Sequence, residues 1–294
     1  MLELIPSELP VAKLFSYLTS CVAPRPIAFA STVDKDGQPN LSPFSFFNVF
    51  GANPPIVVFS PSRKGRDNTT KHTFDNVKEV PEVVINMVNY SMVNQVSLAS
   101  NEFAKGVNEF EKAGFTSVGS DLVKPLRVKE SPAQFECKVL NVIETGSEGG
   151  AGNLVVCEVL KIHIDESILD SDGNVDPQKA DWVARMGKDF YCRASGDAVF
   201  EVEKPGAIVA MGWDKLPDYF RTSEVLTGND LGLLANLPGM PNLDEIIKYR
   251  EEIDYEGLKS TMSKVELRKS IHQLAKELIA KGEFKKALGI CVEL

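Results

Sequence analysis

The sequence lacks the marks of a membrane, disulfide-bonded or zinc-binding protein. No run of about 18 apolar residues is present, so we expect no transmembrane helix. The N-terminus has no basic region, apolar core and cleavage site in succession, so a signal peptide is not predicted. The five cysteines include no Cys-x-x-Cys pair, and the three histidines are far apart. We therefore expect a cytoplasmic protein with neither a disulfide framework nor a metal site.

Several enzyme signatures are also missing. A Gly-x-Gly-x-x-Gly sequence does not occur, so a Rossmann domain is not supported. The glycine-rich run at 146–152 has neither the lysine nor the strand-loop-helix context of a P-loop, and it indicates a hairpin loop. No Ser-His-Asp or Cys-His arrangement and no pair of catalytic carboxylates is recognisable, so we predict no catalytic side chain. The net charge of -9 argues against nucleic acid as a partner.

Short apolar segments separated by turn residues dominate the first two thirds of the chain. Many strands at short spacing with few helices between them indicate an antiparallel barrel. The alternation from Ala133 to Asn141 places Glu136 and Lys138 on the solvent side of a half-buried strand. Residues 91–113 are expected to be helical, ending at Gly114. Strands are predicted at Ile27 to Val33, Gln38 to Asn48, Pro54 to Ser60, Pro81 to Asn89, Ala133 to Asn141, Asn153 to Ile164 and near Ala198 to Val202.

The composition changes after Pro205-Gly206. Further on, Ser263-x-x-Glu266 forms a capping box ahead of an amphipathic pattern of about four turns. Its apolar stripe consists of Leu267, Ile271, Leu274 and Leu278. This stripe must pack against the barrel wall, a partner subunit or the neighbouring helix at 243–249. We expect residues 1–205 to form the barrel domain and residues 206–294 a mainly helical extension.

One loop has the chemistry of an anion site. Four cations lie among hydroxyl and amide side chains just before a predicted helix at 72–77, which Thr70 or Thr73 could cap. Cations, hydroxyl groups and the free N–H groups of a helix start can converge on a phosphate. The alternative is a solvated surface loop. The cations are Arg63, Lys64, Arg66 and Lys71.

Residues 10–205 resemble the flavin reductase-like FMN-binding split-barrel family, in its flavoredoxin-type branch. The resemblance implies a mainly β fold, an antiparallel split β-barrel with flanking helices. His72 departs from the family pattern, which usually has an acidic residue there. The motifs that carry the resemblance are, in chain order, Pro24-Arg25-Pro26-Ile27, Ser31-Thr32, Asp36-Gly37, Asn40 to Asn48, Pro54-Pro55, Phe59-Ser60, Lys71-x-Thr73-x-x-Asn76, Asn86, Asn108-Glu109-Phe110, Ala113-Gly114, Glu130-Ser131-Pro132, Glu136-Cys137, Arg185-Met186-Gly187 and Tyr191.

The resemblance implies two groups of cofactor-binding residues. Ser45, Phe46 and Asn48 would meet the isoalloxazine and ribityl groups of the flavin through hydroxyl, backbone and amide contacts. Asn76 is expected to order the loop before it. The phosphate would be held by Ser60, Arg63, Lys71 and Thr73.

The implied function is an oxidoreductase of the NAD(P)H:flavin reductase type, which passes a hydride to FMN and electrons on to an acceptor. An electron-acceptor protein is one kind of acceptor that the resemblance allows. FAD is an alternative flavin, and the donor is NADH or NADPH. Members of this family are commonly homodimers with the flavin near the subunit interface. Two other functions stay open: a non-catalytic FMN electron carrier, and a split-barrel interaction module that has lost the flavin.

Five side chains have two interpretations each. Asn86, inside a predicted strand, is either a satisfied core amide or the partner of a ligand's polar edge. Glu109 and the neighbouring Phe110 either approach the ligand or pack in the core. Arg185 and Tyr191 either approach the flavin or a neighbouring subunit, as the resemblance implies, or form a buried ion pair and a core position, respectively.

Overall fold

The computed structural model describes residues 1–202, 206 and 209–292. The chain forms two compact units, residues 1–200 and residues 201–294. The predicted boundary at 205/206 adjoins residues 203–205 and 207–208, which are outside the described residues. No helix in the described parts of the chain is both long and apolar enough to cross a membrane.

The first unit is mainly β. Its strands β1 to β11 are Ala28–Val33, Pro39–Phe44, Phe47–Ala52, Pro55–Phe59, Glu82–Met87, Ser117–Val118, Arg127–Val128, Ala133–Glu144, Asn153–Ile164, Val183–Arg185 and Tyr191–Arg193. Its helices α1 to α5 are Val11–Cys21, His72–Glu79, Val93–Ala99, Glu109–Ala113 and Pro177–Ala180. Short 3-10 turns occur at Pro6–Glu8, Tyr90–Met92, Glu166–Ile168 and Gly196–Ala198.

Seven strands form one antiparallel sheet in the order β2-β1-β5-β8-β9-β4-β3. The two edge strands, β2 and β3, follow each other in the chain and are separated only by Ser45 and Phe46. A link of this length spans at most about 11 Å, so the sheet must curl until its edges approach each other. The prediction of a mainly β, antiparallel split barrel with flanking helices and a helical C-terminal part is confirmed. The single predicted strand from Gln38 to Asn48 is wrong, because the chain changes edges at this link.

The barrel interior is apolar. Every residue of β1 is buried, and Ala28 and Ala30 of this strand lie in one apolar cluster with the fully buried Phe59. Cys137 and Cys157 face the same interior. Burial raises the pKa of the Cys137 thiol to about 12, so this side chain is an inert small hydrophobe.

Three local predictions fail, each because tertiary contacts override the pattern. Glu136 is fully buried although alternation places it outside, since hydrogen-bond donors from other segments satisfy it. The helix predicted over 91–113 divides into α3 and α4, separated by the irregular segment 100–108. Gly114, with φ 72°, ends α4 as predicted. The strand predicted near 198–202 is absent from the described residues there, because Gly196–Ala198 form a 3-10 turn.

Two of the open alternatives are decided by hydrogen bonds and exposure. The side-chain amide of Asn86 donates to Phe29 O at 2.9 Å, and its oxygen accepts from Val128 N at 2.9 Å, so it is a satisfied core amide. The guanidinium of Arg185 lies 4.5 Å from the ring centre of Tyr191, which is 37% exposed. The alternatives of a core position for Tyr191 and a buried ion pair for Arg185 are therefore wrong.

The second unit is helical with its own core. Ser263 and Glu266 form the predicted capping box at the start of helix α10, Lys264–Ala280. Leu267 and Ile271 are buried in the core cluster of this unit, together with residues of helices α7, Gly228–Ala235, and α11, Phe284–Cys291. The apolar stripe of α10 thus packs against helices of its own unit. Helices α6 to α11 are Asp218–Arg221, Gly228–Ala235, Leu243–Glu252, Tyr255–Thr261, Lys264–Ala280 and Phe284–Cys291, and a 3-10 turn spans Trp213–Lys215.

Candidate functional site

A shallow open pocket lies where the basic loop enters α2. Three parts of the chain form its walls: strand β2, the loop and first turn of α2, and the segment between α3 and α4. Its lining is strongly polar, and it includes four hydroxyl groups and two carboxylates. The lining residues are Asn40, Ser42, Lys64, Thr70, Lys71, His72, Thr73, Ser100, Asn101, Glu102, Phe103 and Glu109.

Three cations of the loop converge at this pocket. The carboxylate of Glu102 lies 2.7 Å from Arg66 Nη2, 3.5 Å from Lys71 Nζ and 3.6 Å from Lys64 Nζ. The hydrogen bond from Arg66, with the charges of Lys71 and Lys64, lowers the pKa of the Glu102 carboxyl. These cations therefore share one anion instead of pointing separately into solvent, and the place where they meet accepts negative charge.

The start of α2 adds backbone donors to this place. The first N–H groups of a helix have no intrahelical acceptor, and the helix dipole favours an anion beside them. Lys71 is the N-cap residue, and no described side chain caps the helix. The predicted caps are therefore wrong. Thr70 donates to Asp75 Oδ1 at 2.9 Å, and Thr73 accepts from Asn40 Nδ2 at 2.9 Å.

Buried hydrogen bonds fix this helix start on the barrel. Thr73 is 1% exposed, and its bond to Asn40 joins α2 to β2. Asn76, also buried, donates to Thr32 Oγ1 on β1 at 3.1 Å. Asn76 thus orders the region through the barrel wall, in agreement with the role expected for it.

The predicted cofactor-binding residues fall into two groups. Lys71 and Thr73 line the pocket. The other five lie outside the lining that the structure describes, and most of them lie along the link between β2 and β3 and at the end of β4. Ser60 N donates to Phe46 O at 2.8 Å, and Ser60 Oγ accepts from Asn153 N at 3.0 Å. These five residues are Ser45, Phe46, Asn48, Ser60 and Arg63.

The guanidinium of Arg63 orders the loop that it belongs to. Its Nε donates to Asn68 Oδ1 and its Nη2 donates to Asn68 O, both at 2.8 Å. Asn68 is left-handed, with φ 59°, so these bonds hold a backbone conformation that few residues adopt. Arg63 therefore stabilises the loop conformation around Lys64.

The glycine-rich run at 146–152 also stabilises this loop, through backbone hydrogen bonds. It joins β8 to β9, as the hairpin interpretation predicted. Arg63 N donates to Ala151 O at 2.9 Å, and Gly150 N donates to Arg63 O at 3.1 Å. A Cβ atom on Gly149 would lie 3.1 Å from Lys64 O, so the two backbones approach closely only because this residue is glycine.

Sequence reasoning left out several residues of the lining. Lys64 was recognised as a member of the basic cluster, but it was not among the residues predicted to bind the phosphate. Glu109 lies in the pocket wall, 5% exposed, and accepts from Leu41 N at 3.0 Å. Burial raises the pKa of this carboxyl. Phe110 packs in the core, as one alternative had it, whereas Glu109 lines the pocket and its approach to a ligand stays a prediction. Glu102 had no signal in the sequence, because it lies 31 positions beyond Lys71.

A second cluster of ligand-type side chains lies on β8, β9 and the loop before β7. Atoms of Asp121, Glu136 and His163 lie within 4.8 Å of one another. Glu136 already accepts from Asp121 N at 2.9 Å and from Leu122 N at 2.6 Å, and the His163 ring is 2.7 Å away. Burial alone raises the pKa of Glu136, but these hydrogen bonds outweigh it and lower the pKa. The carboxylates are therefore satisfied by groups of the protein itself.

The donor set at the basic pocket fits a phosphate monoester. A phosphate carries up to two negative charges and three acceptor oxygens at neutral pH. The pocket offers ammonium groups from Lys64 and Lys71 and the N–H groups at the start of α2. Arg66 lies outside the lining, and its guanidinium reaches Glu102 of the lining at 2.7 Å. The fold and this pocket define a split-barrel protein with a cationic pocket beside strand β2.

The family of the chain is also shown. The model of the flavin reductase like domain matches residues 20–177, more than half of the 294 residues. The chain belongs to the flavin reductase-like family, and the resemblance found in the sequence is confirmed. The matched residues lie within the first unit.

Individual relatives agree with this assignment. An uncharacterized protein of Aquifex aeolicus (strain VF5) is 36% identical over 201 residues, which are 68% of this chain and 100% of that protein. Nitrilotriacetate monooxygenase component B from Bacillus cereus is 28% identical with a TM-score of 0.64, over 69% of this chain and 98% of that one. A chain from Shewanella frigidimarina NCIMB 400, described as having a split barrel domain, is 26% identical with a TM-score of 0.57, over 68% and 96%.

Proposed function

We propose that the protein is an FMN-binding oxidoreductase of the NAD(P)H:flavin reductase type. The observation that carries this proposal is the convergence of Lys64, Arg66 and Lys71 beside the start of α2, in a chain of the flavin reductase-like family. Such a cluster is suited to the phosphate of FMN. Bound FMN would supply hydride acceptance and electron transfer, while the protein supplies binding and orientation.

The residues of this chain divide the binding of FMN between two places. Lys64, Lys71 and the N–H groups at the start of α2 would hold the phosphate. Thr73 positions that helix through its buried bond to Asn40. Arg63 orders the loop and does not need to touch the ligand.

The flavin ring and ribityl chain are assigned to the link between the barrel edges. Ser45, Phe46 and Asn48 remain the predicted contacts, and two features support this placement. Phe46 is 37% exposed, so its ring is accessible to a ligand. The backbone bond between Ser60 N and Phe46 O joins this link to the strand end from which the basic loop begins. A ligand with a ring at the link could extend its phosphate along that loop.

We also propose that the protein is a homodimer located in the cytoplasm. Alternate residues of β9 present an apolar face, with Leu160 43%, Ile162 52% and Ile164 41% exposed. Phe50 on β3 is 69% exposed. Apolar surface of this kind on a sheet is suited to a second copy of the same chain.

The nature of the electron donor and acceptor belongs to the same proposal. NADH or NADPH would deliver the hydride. The similarity to a monooxygenase component B supports an acceptor outside this chain, either a partner protein or an oxidised substrate.

The first experiment is the visible absorption spectrum of the freshly purified protein, followed by denaturation and identification of the released chromophore. We expect FMN in stoichiometric amount, or its uptake when it is added. The loaded protein is then tested for oxidation of NADH and of NADPH. A protein that binds neither FMN nor FAD contradicts the proposal. An FMN protein that oxidises neither nucleotide would favour the electron-carrier alternative.

A further inference from the structure

The phosphate-binding place holds an anion of the chain itself. The carboxylate of Glu102 lies within 3.6 Å of the ammonium groups of Lys64 and Lys71. It only accepts hydrogen bonds, so it occupies the position that a ligand anion would take. Arg66 completes the set at 2.7 Å. The side chain of Glu102 is 41% exposed. The side chain is therefore held by its ion pairs and not by burial in the core.

The segment that carries Glu102 is anchored at its two ends. At the end of α3, Asn101 Nδ2 donates to Leu98 O at 2.8 Å. At the start of α4, Asn108 Oδ1 accepts from Phe110 N at 3.1 Å. Between these anchors, residues 102–107 have no regular structure. Ion pairs from Glu102 thus connect a short irregular segment to the basic loop.

The same segment also lines a second pocket beside the first. This smaller pocket is lined by Lys105, Gly106 and Val107 of the segment and shares Asn40 and His72 with the first.

We propose that Glu102 is an internal competitor: its carboxylate must leave the cations when a phosphate binds, so it weakens the binding of FMN and does not affect a flavin without phosphate. The inference rests on the proposed function, since it concerns how the same pocket binds FMN. A phosphate monoester brings up to two charges and three acceptor oxygens to the cations, whereas a carboxylate brings one charge and two oxygens. A phosphate displaces Glu102; a neutral hydroxyl group does not.

Riboflavin is the ligand that separates charge competition from other effects. It has the ring and the ribityl chain of FMN but no phosphate. If Glu102 acts by competing for the cations, its removal changes the affinity for FMN and leaves that for riboflavin unchanged. If the segment acts only as a steric cover, its release changes both affinities.

The test compares wild type with Glu102→Gln, measuring the Kd of FMN and of riboflavin by quenching of flavin fluorescence. Glutamine keeps the size of the side chain and an acceptor for Arg66, but removes the charge. We expect the Kd of FMN to fall by roughly fivefold, the effect of losing one exposed ion-pair competitor. The matched control is Glu144→Gln, which removes an exposed carboxylate that pairs with Lys78 at 3.0 Å outside the pocket.

A second measurement follows the displacement directly in the wild-type protein. Amide hydrogen exchange of residues 102–107 is compared with and without FMN. We expect faster exchange with FMN, because the phosphate takes the cations that hold Glu102. Slower exchange would mean that the segment closes on the ligand, and it would overturn the inference.

The binding outcomes distinguish the inference from the proposed function. FMN binding by wild type with the same Kd in Glu102→Gln overturns the inference and leaves the function standing. An equal gain for FMN and riboflavin, or the same gain in Glu144→Gln, also overturns the inference. Absence of FMN binding by all three proteins overturns the proposed function, and the inference with it.

Discussion

Asn40 on β2 donates its side-chain amide to the hydroxyl of Thr73 on α2 at 2.9 Å, and both residues are buried. This bond joins the barrel wall to the helix that begins the candidate phosphate site. Thr73→Val keeps the shape but leaves the amide of Asn40 without its acceptor. We expect a loss of about 1 to 3 kcal/mol in the free energy of unfolding, the usual penalty for an unpaired buried polar group.

Urea denaturation of Thr73→Val and of Thr116→Val checks this prediction. Thr116 is an exposed threonine of the same unit, and its replacement should change stability little. Equal stability of the two variants would show that the bond to Asn40 contributes nothing to the fold.

Lys71→Ala should weaken FMN binding by about 1.5 to 3 kcal/mol, because a hydrogen bond to a charged phosphate is lost. This corresponds to a Kd roughly ten- to a hundredfold higher. Isothermal titration of the apoprotein with FMN measures it. Lys78→Ala is the control, because this exposed lysine of the same helix pairs with Glu144 outside the pocket. An unchanged affinity in Lys71→Ala would place the phosphate elsewhere.

Arg63→Lys distinguishes a phosphate ligand from a residue that orders the loop. Lysine keeps the positive charge but cannot form the paired bonds to Asn68. If Arg63 orders the loop, we expect FMN binding to weaken as much in Arg63→Lys as in Arg63→Ala. Titration of both variants with FMN is the measurement. Recovery of affinity in the lysine variant would indicate that charge at the phosphate is what matters.

The buried Glu136 predicts a pH dependence of stability. Its pKa in the folded protein is lowered, whereas an ordinary glutamate has a pKa of about 4.3. Its stabilising contribution is therefore fully present above about 4.3 and is lost as the pH falls through the lower folded value. We expect Glu136→Gln to lose about 1 to 3 kcal/mol at neutral pH and to flatten the acid limb of the stability curve.

Urea midpoints measured from neutral to acid pH check that expectation. Glu144→Gln serves as the comparison, because this carboxylate is exposed. Parallel pH curves for wild type and Glu136→Gln would show that Glu136 does not contribute to acid unfolding.

Ile162→Lys should convert the proposed homodimer into monomers. A lysine in the apolar face of β9 would have to lose its hydration on association. Sedimentation velocity of wild type and variant gives the mass in solution. Val265→Lys, at a position 79% exposed in the second unit, should leave the mass unchanged. A monomeric wild type, or a dimeric Ile162→Lys, would contradict the assignment of this face.

The fold was largely predictable from local patterns, and the site only in part. Strands were found because apolar runs and turns alternate over a few residues, and the capping box at Ser263 because its two members are three positions apart. The basic loop was found from its composition. The roles within the loop were not all predictable, because Arg63 turns toward Asn68 and Lys64 toward the pocket, a choice made by backbone conformation at Asn68 and by the adjoining hairpin.

The sequence by itself determined the antiparallel barrel, the helical C-terminal part and the position of a cationic loop before a helix, since these depend on residues near one another in the chain. Only the tertiary structure decided that the chain changes barrel edges at Ser45, that Glu136 is buried, and that Glu102 meets the cations. The physical reason is that burial of a charge and convergence of ion pairs require partners from distant segments, and no local periodicity encodes which segments meet.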